Sequence, residues 1–470
     1  MTGPISGGLR GYPYDSSLIN LASYGYTEQE YFISGTATAH GGVTFLASPT
    51  GIPYPSGTTP AQSYTTRILV RRPIDPSKFN GTVLFEWLNV TSGVDIDLDW
   101  ATGYREIMRD GYAWVGVSAQ PVGASTLRAW DPVRYATLSN PGDPYSFDIY
   151  SQAVQAVRHP EGIAPLGKVG PVTAAIADGH SQSGSYLHTY VNLVQNQANV
   201  IDGFLIRGDG NPVFDFSQLK VPVFQYMSET EVNGVTAGDN SSHAPDAPDS
   251  RFYTLWQVAG PAHQDNFENT YFEDATARYW TATGPTGNTT VAPSYDPRAA
   301  GNYGQEENPV GTCQNGISTG IDSPVTDAVA PYNNDATSVA SIDEFPQQYT
   351  VDAAIFYLNR WIRTGTAPPS APRITLDSSG TIVRDQYGNA VGGLRLPVLD
   401  VPVATYNGSS GCSLSGETFP LNSATLAKLY PTHADYVADM EASITKAEAA
   451  GFLLPFDAAD LLARAEASSI

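Results

Sequence analysis

The run Gly179-His180-Ser181-Gln182-Ser183-Gly184 places a serine between an apolar stretch, Val172 to Ala177, and an amphipathic one, Gln182 to Val194. A serine hydroxyl is a poor nucleophile unless it is held exposed beside a base. A sharp strand-to-helix turn exposes it, and small neighbours let strand and helix approach. Gly179, Ser183 and Gly184 are such neighbours. The helix N-terminus then offers N–H groups and positive dipole to a developing oxyanion. The usual spacing is G-x-S-x-G, whereas here position 183 is Ser and the glycine comes one residue later. Two alternatives stand beside Ser181: an ordinary small-residue turn, and Ser183 as the nucleophile. The apolar face formed by Tyr186, Leu187, Tyr190, Val191 and Val194 marks a true helix and favours the elbow at Ser181.

A nucleophile at Ser181 requires an acid and then a histidine further along the chain. The run Val221 to Met227 reads as a strand ending in Ser228-Glu229-Thr230-Glu231. Glu231 best fits the offset at which the chain turns, with Glu229 and Asp209 as substitutes. Both glutamates as solvated loop charges is the bland alternative. Of the histidines, His243, His263 and His433 follow Glu231. His243 lies in a polar loop and His433 near the start of a terminal helix. His263 ends the small-residue loop Ala259-Gly260-Pro261-Ala262, directly after the strand Phe252 to Val258. That position suits a general base, so His263 is the expected one. The backbone N–H of Gln182 is one expected oxyanion donor. Asn89 or Val90, in the loop after the strand Val83 to Leu88, supplies the second, unless that loop is a plain connection.

These residues need a scaffold of alternating elements. Strands at 83–88, 112–118, 172–177, 204–207, 221–227 and 252–258 alternate with helical patterns at 97–109, 151–158 and 182–194. That rhythm predicts an α/β fold with a mostly parallel central sheet covered by helices on both faces. Tyr31 to Ala37 and Thr66 to Arg71 precede any helical crossover and read as antiparallel edge strands. Residues 1–284 form the expected core, and 285–345 an irregular excursion rich in Gly, Pro, Asn, Asp and Thr. A core helix falls within 346–370. Residues 371–470 make a C-terminal extension, with a hairpin signal at Tyr387-Gly388-Asn389 and helices at 425–450 and 457–468. The excursion and residues 390–440, with Tyr349 just after the excursion, carry Tyr332, Phe345, Leu394, Leu396 and Tyr406. They are expected to cover the catalytic face and shape an acyl pocket; packing on the far side is the alternative.

Composition narrows the partners. The 470 residues hold 41% hydrophobic side chains, enough for a large core. The net charge is -23, mainly because lysine is confined to Lys78, Lys168, Lys220, Lys428 and Lys446. Without clustered cations, binding to nucleic acid or to an anionic membrane is disfavoured. No apolar run approaches the ~18 residues of a membrane span. The N-terminus lacks the basic start and apolar stretch of a signal peptide, which leaves a cytoplasmic chain or, favoured, a secreted mature form with an added Met. Cys313 and Cys412 form one disulfide or remain two thiols. No His, Cys or carboxylate cluster has ligand spacing, so neither metal nor other cofactor is expected.

The elbow G-H-S-Q-S-G, the run Val115-Gly116-Val117-Ser118-Ala119-Gln120 and the loop Val258 to His263 resemble the alpha/beta-hydrolase-domain family with a G-x-S-Q-S-G elbow. Gly392-Gly393-Leu394-Arg395-Leu396-Pro397, Asp400 to Tyr406, and Leu429 to Tyr436 are similar to further segments of it. The resemblance covers most of the chain. It implies an alpha/beta-hydrolase fold and a serine hydrolase with Ser181, Glu231 and His263 as its triad. Aspartate is the commoner acid there, so Glu229 stays a rival to Glu231. The expected reaction is cleavage of a small-molecule carboxylic ester. Acyl transfer or lactone cleavage on the same site, or a catalytically inactive binding protein, are the alternatives.

Overall fold

The computed structural model describes residues 1–40, 60–210, 216–233, 248–269, 271, 312–314, 317–319, 341–409 and 414–470. Its main sheet runs through β1 (Tyr26–Ala37), β2 (Gln62–Pro73), β3 (Thr82–Trp87), β4 (Ala113–Val117), β5 (Ala174–His180), β6 (Gly203–Arg207), β7 (Val223–Met227) and β8 (Tyr253–Gln257). The spatial order is β1-β2-β4-β3-β5-β6-β7-β8. β1 and β2 are antiparallel, and β2 meets β4 antiparallel. From β4 to β8 every pairing is parallel. Of these two strands only β1 lies at an edge, so the expectation of two edge strands fails for β2, which sits between β1 and β4.

The parallel strands are buried along their whole length, as strands covered on both faces must be. The covering helices are α1 (Leu98–Arg109), α2 (Pro121–Trp130), α3 (Ser146–Arg158), α4 (Gln182–Leu193), α5 (Gln348–Thr364), α6 (His433–Ala450) and α7 (Pro455–Ala467). The step from β3 to β4 and the step from β5 to β6 run in opposite directions across the sheet. Right-handed crossovers therefore put α1 and α4 on opposite faces. α5 packs beside α1, and α3 meets α4 through Tyr150 and Tyr190. α2 has no counterpart in the apolar periodicity; Pro121 starts it after Gln120. The helix expected over 425–450 is two helices, Ser423–Leu429 and α6. Pro431 cannot continue the first, and Thr432 caps the second with Asp435.

Of the expected excursion, residues 312–314 and 317–319 and its end from 341 onward fall within the described residues. Tyr332, His243 and Cys412 lie outside them. The residues after 341 fold back on the core. Leu394 bridges Val258 just beyond β8, and Ser341 bridges Thr418. No described helix is long and apolar enough to cross a membrane.

The core holds carboxyls that burial forces toward their neutral form. Burial pushes Glu106 and Glu268 up to about 8, and Asp265 and Asp457 up to about 6. A folded-state pKa above the unfolded value contributes stability below the unfolded pKa that is lost as pH rises through the folded one. The melting temperature is therefore expected to fall as pH rises from about 5 to about 8, each titrating group costing up to about 1.4 kcal/mol per pH unit. Scanning fluorimetry across that range checks it, and Glu106→Gln should flatten part of the decline. A melting temperature that rises or stays level over the range counts against these protonated carboxyls.

Candidate active site

Ser181 sits between β5 and α4 with φ 61° and ψ -121°. A left-handed backbone is strained for a residue with a Cβ, and such strain collects at functional sites. The close approach of strand and helix sustains it. A Cβ on Gly184 would lie 2.6 Å from the Arg207 carbonyl oxygen, and one on Gly179 would lie 3.0 Å from Ser183 backbone. The Ser181 N–H donates to the Arg207 carbonyl at 2.9 Å, tying the turn to β6. Ser183 is buried, and its hydroxyl donates to the His180 carbonyl at 2.8 Å. That engagement sets Ser183 aside as the exposed hydroxyl.

Glu231 belongs to the short helix Glu229–Val232, which starts directly after β7. Its Oε2 accepts the Ser228 N–H at 2.7 Å, closing a capping box. Its Oε1 lies 2.6 Å from His263 Nδ1. Burial alone would raise the Glu231 pKa. The His263 charge and the hydrogen bonds from His263 and Ser228 outweigh burial and leave it below the ordinary carboxylate value. The pair lies at the elbow, because the His180 ring packs on the His263 ring with centroids 4.5 Å apart. Burial drives the His180 pKa well down, and the charges of His263 and Arg207 act in the same direction, so that ring is neutral.

The substitutes for the acid go elsewhere. Glu229 Oε1 accepts the Gly260 N–H at 2.7 Å, and its Oε2 pairs with Arg384 at 2.7 Å. Asp209 lies 2.7 Å from His188 Nδ1 and accepts the Ser185 hydroxyl at 3.0 Å. His433 is exposed at the start of α6, against the carbonyls of Glu466 and Ile470.

The loop after β3 approaches the elbow as expected, but its two candidate residues differ. The Asn89 N–H is spent on the Ile96 carbonyl at 3.0 Å, so the expectation of Asn89 as a backbone oxyanion donor is corrected. Its side chain instead donates to the His180 carbonyl at 3.0 Å and clamps the loop to the elbow. The Val90 N–H points toward Gln182 Oε1 at 3.5 Å. Gln182 is the first residue of α4, where backbone N–H groups have no acceptor within the helix. Its side chain donates to Gln120 Oε1 at 2.9 Å, as does Trp87 Nε1 at 3.0 Å.

Of the residues expected to line an acyl pocket, the five that are described are core residues instead. Phe345, Tyr349, Leu394, Leu396 and Tyr406 are all buried. Phe345 packs edge-on against Tyr406 and lies under Gly260, where a Cβ would meet its ring at 2.4 Å. Phe345 and Leu394 brace the His263 loop from behind, where the chain after 341 docks against it. Sequence reasoning also missed Gly208. A Cβ there would lie 2.7 Å from His263 Cε1 and 3.2 Å from His180 Cε1, so only glycine lets the imidazole occupy its place. The signal was present as Gly208 immediately after the strand Phe204 to Arg207. Among the described residues no group of His, Cys, Asp and Glu could hold a metal ion.

The sheet order, the strained elbow and the carboxylate–imidazole pair define a hydrolase of the α/β class. The family model for the alpha/beta hydrolase domain matches residues 1–463, and the chain belongs to that family. No curated protein matches the chain. Among solved structures it is similar to esterase Est22, at 14% identity over 56% of this chain and 84% of that one, with a TM-score of 0.29. It is also similar to an alpha-beta serine hydrolase homologue from Coxiella burnetii, at 11% identity over 46% of this chain and 91% of that one, with a TM-score of 0.26. Both likenesses are remote.

Proposed function

We propose that the protein is a serine hydrolase that cleaves carboxylic esters through an acyl-enzyme. The observation that carries this reading is the 2.6 Å contact between Glu231 and His263, packed against the elbow through His180. His263 Nε2 takes the Ser181 hydroxyl proton as Oγ attacks the ester carbonyl. The carbonyl π electrons move to oxygen, where the N–H groups of Gln182 and Val90 receive the oxyanion. Collapse of the tetrahedral intermediate breaks the C–O bond, and the imidazolium gives its proton to the departing alkoxide. Water then attacks the acyl-enzyme, with His263 again as base, and releases the acid and free Ser181. Glu231 holds the imidazole in one tautomer and stabilises its cation in both halves.

A series of p-nitrophenyl esters from acetate upward tests the reaction class. Hydrolysis of at least the short members is expected, with an acyl adduct on the peptide containing Ser181 after rapid acid quench. Folded protein that hydrolyses no member of the series would overturn the proposal.

A further inference from the structure

His263 lies at the end of a loop whose backbone donors are all held from outside it. The Ala259 N–H donates to the Leu394 carbonyl at 3.0 Å and the Gln264 N–H to the Leu414 carbonyl at 2.9 Å. The Gly260 N–H goes to Glu229 Oε1, and the Ala262 N–H to Asp343 Oδ2, each at 2.7 Å. The His263 N–H goes to Thr230 Oγ1 at 2.9 Å. Pro261 has no N–H to place. Glu229, Thr230 and Glu231 thus all grip this loop from one short turn, and Thr230 and Glu231 hold the same histidine at two atoms.

The Thr230 hydroxyl is directional. It donates its proton to the Gly408 carbonyl at 2.6 Å, which leaves its oxygen to accept from His263. Gly408 is close enough to the loop that a Cβ there would lie 2.0 Å from the Pro261 carbonyl oxygen. On the far side of the same turn, Arg384 binds Glu229 Oε2 at 2.7 Å and also reaches Ser409 Oγ at 2.9 Å. The segment 384–409 therefore closes over the turn that carries the acid.

We propose that Thr230 is a positioning residue for His263, oriented by the Gly408 carbonyl, and that the C-terminal segment is thereby part of the catalytic apparatus. A side chain held only at Nδ1 pivots about its contact with Glu231. Holding the backbone N–H to the same rigid turn removes that pivot and sets where Nε2 points. The proposal rests on the reading of Ser181, Glu231 and His263 as a triad.

The test compares Thr230→Val, which keeps the shape and loses the hydroxyl, with Thr230→Ser, which keeps the hydroxyl. A misplacement of about 1 Å costs about 100-fold in rate. Thr230→Val is expected to lower kcat on p-nitrophenyl acetate by about that factor, leave KM within about threefold, and slow fluorophosphonate labelling in parallel. Thr230→Ser is expected to retain kcat within about threefold of the parent, because the oxygen still accepts from His263. Thr230→Ala replaces the valine variant if that chain does not fold. Folded Thr230→Val with kcat near the parent value, or Thr230→Ser reduced as far as Thr230→Val, overturns the proposal while the triad stands. Retention of activity by Ser181→Ala would instead sink the triad reading and this proposal with it.

Discussion

Ser181→Ala is expected to lower kcat by about 10⁶-fold, the loss found when the serine of such a unit is removed. A fluorophosphonate should label the parent protein on one residue and leave the variant untouched. The expectation rests on the turn itself. Its backbone at φ 61° is held by the Arg207 carbonyl, by a glycine at 184 that admits no Cβ and by one at 179 where a Cβ would be crowded. The neighbouring hydroxyl, on Ser183, is buried and donates to the His180 carbonyl. The melting temperature should change little, because a partly exposed hydroxyl contributes little packing and alanine keeps the Cβ already accommodated. Peptide mapping that placed the adduct on Ser183 would move the nucleophile, and active enzyme without any adduct would remove it.

Glu231→Gln should cost about 10⁴-fold in kcat, whereas Glu229→Gln should cost far less. At position 231 the carboxylate faces His263 Nδ1 directly, and an amide there cannot stabilise the imidazolium and permits the wrong tautomer. At position 229 the carboxylate meets a backbone N–H and a guanidinium instead. A glutamine oxygen still accepts from Gly260, so the loop keeps its anchor there, and the loss of the Arg384 ion pair should appear chiefly in thermal stability. Steady-state kinetics with matched melting curves separates the two. If Glu229→Gln shows the larger fall in kcat, the acid assignment shifts by two residues.

The two glutamates show where sequence reading reaches its limit. Both lie beyond the same strand, so composition and order alone leave them as rivals. The turn Ser228–Val232 separates them, because the capping box points Glu231 Oε2 back at Ser228 and leaves Oε1 to His263. Asn89 and Val90 divide in the same way. They are adjacent in sequence, yet the local bridge from Asn89 to Ile96 uses one N–H and leaves the next facing the elbow. The apolar residues after 341 misled for a different reason. Phe345 and Leu396 look the same in sequence whether they line a pocket or a core, and only their burial, that of Phe345 under the His263 loop, decides.

The amino-acid sequence by itself determined the serine turn, the glutamates and histidine that follow it in order, and the alternating strands and helices that carry them. Those features are written in contiguous residues: a strand, a turn of small side chains and a helix are local, and apolar periodicity reports which face is buried. The tertiary structure alone decided which glutamate meets His263, why position 208 must be glycine, and where the C-terminal segment docks. These depend on contacts between distant residues: Glu229 and Arg384 are 155 positions apart, and Thr230 and Gly408 are 178 apart. No periodicity encodes such a pairing. It exists only once the sheet has brought β7, β8 and the returning chain to one end, where each buried N–H and carboxylate must find a partner.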